Sequence, residues 1–158
     1  MGKVIVLSMG ASAIGGEMAR SLALTEGRVP VLVHQDYGLP SFVDEDTLLI
    51  ASSYSGNTEE IVSAFTAAIR SPARKIAITT GGRLGEQARQ AGIPSFIIEA
   101  EALPRAGFPH SFLPLLSILQ NVDALADQSI NVQEALTLLF RVQYDYREDT
   151  PLISNPVK

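Results

Sequence analysis

The densest concentration of chemistry-bearing side chains is the run Ser53-Tyr54-Ser55-Gly56-Asn57-Thr58-Glu59-Glu60. It follows the apolar stretch Thr47–Ser52 and opens the helix-patterned stretch Ile61-Val62-Ser63-Ala64-Phe65, so it marks a buried strand turning into a helix. Three aliphatic hydroxyls, one amide and a glycine fall within six positions. A helix start points its free N–H groups and the positive end of its dipole at such a turn. Short donors, a backbone that allows close approach and no bulky side chains are what a phosphate requires. Helix capping accounts for part of the pattern, with Asn57 as N-cap and Glu60 completing a capping-box pair. Capping does not ask for Ser53, Ser55, Gly56 and Thr58 together.

A second small-residue run, Gly10-Ala11-Ser12-Ala13-Ile14-Gly15, invites a dinucleotide reading, with Asp36 placed as the ribose-binding acid. Ser12 stands where that fingerprint needs its second glycine, and its side chain would crowd a pyrophosphate. The Gly-Lys-Ser/Thr ending of a P-loop is also missing. Thr79-Thr80-Gly81-Gly82 forms a third run of this kind.

The elements that must position these runs alternate. Strands are expected at Lys3–Met9, Val29–Val33, Thr47–Ser52, Lys75–Thr79 and Pro94–Ile98, because each is a short apolar, β-branched-rich run. Helical periodicity covers Glu17–Thr25, about Asn57–Ile69, Leu84–Gln90, a stretch from Phe108 through Val122, and Val132–Tyr144. Gly10–Gly16 reads as a loop, and Pro114 fits a first helical turn. The alternation predicts an α/β fold, a mostly parallel sheet with helices on both faces and ligands at the carboxyl ends of the strands. The three small-residue loops fall at such ends.

The 158 residues are 46% hydrophobic and carry a net charge of −5, as in a globular chain with its own core. Negative charge argues against nucleic acid as main partner. The absence of cysteine excludes disulfides and thiolate metal sites, and the two histidines, His34 and His110, do not suggest a zinc centre. No apolar run is long enough to span a membrane and no signal-peptide pattern opens the chain, so the expected location is cytoplasmic.

Ser53–Glu60 resembles the phosphosugar loop of sugar isomerase (SIS) domains. Together with Ser8–Gly16, Thr79–Leu84 and Leu103-Pro104-Arg105-Ala106, it is similar in order and spacing to the bifunctional phosphoglucose/phosphomannose isomerases. The resemblance implies a three-layer, flavodoxin-like sandwich around a five-stranded parallel sheet. It implies an SIS domain over residues 1–148, with 149–158 a tail or linker toward a second SIS domain. By the same resemblance Ser53, Ser55 and Thr58 hold the sugar phosphate, and Gly10, Ala11 and Ser12 contact the sugar. Ala11 replaces the glycine usual in the family and adds a methyl there. Arg105 matches the family's arginine, a cation that stabilises a developing enediolate. The implied reaction interconverts glucose 6-phosphate or mannose 6-phosphate with fructose 6-phosphate through a cis-enediol, without metal or organic cofactor. The family's glutamate base, ring-opening histidine and lysine belong to a second SIS domain, so a second SIS domain or a homodimer partner is expected. Two rivals remain: a lone module that senses a sugar phosphate without chemistry, and a nucleotide-binding domain.

Overall fold

A computed structural model describes residues 1–99 and 107–155. Two compact units are present, Met1–Ala126 and Asp127–Lys158. The expected boundary at 148/149 lies inside the second.

In the first unit the chain runs β1 (Lys3–Ser8), α1 (Ala11–Glu26), β2 (Val31–His34), β3 (Thr47–Ser52), α2 (Glu59–Arg70), β4 (Arg74–Thr79), α3 (Gly82–Gln90), β5 (Ser95–Ile97) and α4 (Phe108–Asn121). The strands form one parallel sheet in the order β2-β1-β3-β4-β5. β1 and β3 are its central pair, in register from Lys3 opposite Thr47 to Ser8 opposite Ser52. All six β3 residues are buried, which is why that strand reads as an unbroken apolar run.

Alternation along the strands divides the core. Ile5, Leu7, Leu49, Ala51 and Ala77 pack with Ile61, Ala64, Phe65 and Ala68 of α2 and with Leu84 and Ala88 of α3. Val4, Val6, Leu48 and Ile50 point the other way and are equally buried. That face is covered by α1 and α4, which also pack on each other. The fold class is therefore the three-layer α/β sandwich anticipated from the alternation of patterns.

Three local expectations are corrected. Gly10–Gly16 is not a loop, because α1 already begins at Ala11. Its small residues lack an apolar period, and they serve close packing instead. A Cβ on Gly15 would lie 3.4 Å from Phe112 Cβ, and one on Gly16 would lie 3.2 Å from both Ser8 Oγ and Val33 Cγ2. Pro114 lies inside α4 rather than in its first turn, which holds Pro109. The helix continues past Pro114 although proline has no N–H for the carbonyl four residues back. Asn57 does not cap α2; the N-cap is Thr58.

The second unit holds α5 (Ser129–Asp145), a helix with no buried residue. Turns follow it, tied by Asn155 Nδ2 donating to the Arg147 carbonyl at 3.0 Å and by the Ser154 N–H donating to the Pro151 carbonyl at 2.9 Å.

Candidate functional site

Strand order reverses between β1 and β3, whose chain continuations leave the sheet in opposite directions. Such a switch point opens a crevice at the strands' carboxyl ends. A cavity of about 190 Å³ lies there, lined by Met9, Ala11, Ser12, Tyr54, Ser55, Thr58, Gly107, Phe108 and Ser111. The starts of three helices border it. Ala11 and Ser12 begin α1, Thr58 precedes α2, and Gly107 and Phe108 begin α4. Among the described residues no side chain caps any of the three. Their dipoles and unclaimed N–H groups favour an anion, each by roughly 0.3–1 kcal/mol when exposed and more when partly buried.

The turn after β3 is shaped by its neighbour. Gly56 has φ +67°, and a Cβ there would stand 1.9 Å from the Gly81 carbonyl oxygen, so only glycine fits. The Tyr54 carbonyl accepts from the Thr80 N–H at 3.0 Å and from Thr80 Oγ1 at 2.7 Å. The Gly56 carbonyl accepts from the Leu84 N–H at 2.9 Å. Asn57 Nδ2 donates to the Ser55 carbonyl at 3.1 Å, while Asn57 Oδ1 accepts the Arg83 N–H at 3.1 Å. Asn57 thus serves α3, twenty-six positions on, and leaves the start of α2 open.

The expected site residues divide into three groups. Ala11, Ser12, Ser55 and Thr58 line the cavity. Ser53 and Gly10 do not. Ser53 is 2% exposed and donates to Thr58 Oγ1 at 3.0 Å, which orients that hydroxyl from below. Gly10 has φ +59° and turns the backbone into α1. Ser12 Oγ accepts the Tyr54 N–H at 3.4 Å and joins the two turns. Arg105 lies outside the described residues. Phe108 and Ser111 were not anticipated, because neither stands in a small-residue motif. His110 is exposed, and Asp36 is exposed with its carboxylate accepting the Tyr37 N–H at 2.7 Å.

Among the described residues lining the cavity there is no carboxylate, imidazole or amine. The arrangement can bind and orient an anion, but it offers no acid–base pair. Its volume is small against the roughly 300–1,000 Å³ of ordinary ligand pockets, which suits a compact polar ligand better than a dinucleotide. A larger groove of about 650 Å³ runs between β5 and α4. Its walls are mainly apolar, including Phe96, Ile97 and Leu113, and it lacks the hydroxyl-bearing turns. Beside α2, desolvation, followed by the carboxylates of Glu59, Glu60 and Asp36, pushes the Tyr37 phenol above its usual range. Among the described residues no helix is long and apolar enough to cross a membrane.

No protein-family model matches the chain. It is 40% identical over 156 residues to the bifunctional phosphoglucose/phosphomannose isomerase of Caldicellulosiruptor bescii, covering 99% of this chain and 46% of that protein. The chain thus spans about half the length of the curated relatives it matches. Among solved structures it is similar to a phosphoheptose isomerase from Francisella tularensis, with a TM-score of 0.62 and 21% identity over 77% of this chain and 76% of that one. It is also similar to the Vibrio vulnificus NanR protein complexed with ManNAc-6P, with a TM-score of 0.59 and 18% identity over 88% of this chain and 54% of that one.

Proposed function

We infer the function of this chain from its place among the sugar isomerase (SIS) domains, to which its fold and its similarity to bifunctional phosphoglucose/phosphomannose isomerases assign it. The chain is the phosphosugar-binding part of an aldose–ketose isomerase. Its substrates are glucose 6-phosphate and mannose 6-phosphate, each interconverted with fructose 6-phosphate through a cis-enediol. The observation that carries this reading is the convergence of three uncapped helix starts and the Ser12, Ser55 and Thr58 hydroxyls on one small cavity at the switch point.

In this reading Ser55, Thr58 and the N–H groups opening α2 hold the phosphate. Ser53 positions the Thr58 hydroxyl, Ala11 and Ser12 meet the sugar, and Gly10 turns the backbone that presents them. Arg105 supplies the cation that stabilises the enediolate. Proton transfer between adjacent carbons needs a base, commonly a carboxylate. That group comes from a second SIS domain, or from a partner copy, brought against this one. The second reading is a module that senses a sugar phosphate without turnover. It is favoured by one observation, the lack of any carboxylate, imidazole or amine among the described lining residues.

Titration of the 158-residue chain with fructose 6-phosphate, followed by an isomerase assay on the same sample, tests both readings. Ser55→Ala is expected to weaken binding about tenfold or more, since hydrogen bonds to a charged group are worth about 1.5–3 kcal/mol. Binding without turnover fits either reading, and turnover restored by adding the second SIS domain selects the isomerase. Absence of binding by the unmodified chain would sink both.

A further inference from the structure

Ser111 is the fourth residue of α4 and faces the cavity, yet no small-residue motif contains it. A serine inside a helix ordinarily bonds back to the preceding turn or reaches solvent. Other hydroxyls here follow that rule or find a partner. Thr66 donates to the Val62 carbonyl at 2.7 Å, and Ser12 accepts the Tyr54 N–H at 3.4 Å. Ser111 is 2% exposed, and among the described residues no hydrogen bond ties its hydroxyl to a protein partner; its oxygen is not fully enclosed and opens into the cavity. Ser8 Oγ, by contrast, is fully enclosed without a partner, and Ser8 does not line the cavity. A hydroxyl that opens into a cavity and has no protein partner is free to donate to and accept from a ligand there.

Its position says which part of a ligand it would meet. The turn that holds Ser55 and Thr58 leads into α2, on one face of the sheet, whereas α4 covers the other face together with α1. Ser111 therefore borders the cavity from the side away from the anion-binding turn. Phe108 lines the cavity beside it, its ring stacked on Phe112 with centroids 5.5 Å apart. A hydroxyl that both donates and accepts, next to an apolar ring, matches the mixed O–H and C–H surface of a sugar better than it matches a phosphate.

We propose that Ser111 is a substrate-contacting residue, its hydroxyl hydrogen-bonding a hydroxyl of the hexose while the phosphate rests on the Ser55–Thr58 turn. This deepens the phosphosugar reading and rests on it.

The test is a set of titrations of the 158-residue chain with fructose 6-phosphate and, separately, with inorganic phosphate. Ser111→Ala is expected to weaken fructose 6-phosphate about 3- to 10-fold, the range of one neutral hydrogen bond, and to leave phosphate unchanged. Ser111→Thr, which keeps the hydroxyl, is expected to retain most of the affinity. Thermal unfolding of Ser111→Ala should match or exceed that of the unmodified chain, because the hydroxyl it deletes has no internal partner. Ser55→Ala should weaken both ligands. Equal loss of both ligands in Ser111→Ala, no loss of either, or a lowered unfolding temperature would overturn the proposal while leaving the phosphosugar reading in place. So would an unmodified chain that binds fructose 6-phosphate no more tightly than phosphate. An unmodified chain that binds neither ligand would overturn both.

Discussion

The turns after β1 and β3 stand side by side at the switch point and are built from the same kinds of residue, but they spend them differently. After β1, Gly15 and Gly16 lie within α1 and let that helix settle against Phe112, Ser8 and Val33. After β3, Gly56 bends the backbone into a left-handed conformation under the Gly81 carbonyl, and the surrounding hydroxyls stay outside the helix that follows. In both turns the glycines admit other parts of the protein, but after β3 the hydroxyls beside the glycine are left, on the reading above, for a ligand. Ser12, bonded to the Tyr54 N–H, joins the two turns.

The largest expected effect separates the two turns at their glycines. Gly56→Ala forces a left-handed alanine into the Gly81 carbonyl. The conformation alone costs about 1–3 kcal/mol. Both stability and fructose 6-phosphate binding should fall, measured by denaturant unfolding and titration. Gly16→Val should lower stability by about 1–3 kcal/mol through overpacking against Ser8 and Val33, yet leave phosphate affinity within about twofold. If Gly16→Val abolished binding while the protein stayed folded, the division between a packing turn and a binding turn would collapse. Asn57→Ala gives the smallest effect. It removes the side chain that accepts the Arg83 N–H at the start of α3, worth about 1 kcal/mol and a lowering of Tm by about 2–4 °C. An unchanged Tm would show that this cap contributes nothing.

The sheet was legible in the sequence because buried parallel strands are nearly continuous apolar runs, and β3 matches its expected span residue for residue. The hydroxyl-rich turn was legible because its composition exceeds what capping needs. Other features were hidden for physical reasons. Gly10–Gly16 has no apolar period, so the first turns of α1 looked like loop. Asn57 carries a capping residue's identity, but its partner, Arg83, is brought near only by the parallel pairing of β3 with β4. Ser111 is one serine in an apolar helix, and nothing local distinguishes it from a surface residue.

The clamp on the turn after β3 also makes that turn depend on the second half of the sheet. Tyr54, Gly56 and Asn57 take their shape from Thr80, Leu84 and Arg83, which come into place only when β4 and α3 have docked. The hydroxyl-rich turn therefore cannot take its full shape from the pairing of β1 with β3 alone. Hydrogen exchange at the Thr80 and Leu84 amides, both bonded into that turn, reports its opening directly, and a bound anion should slow the two together.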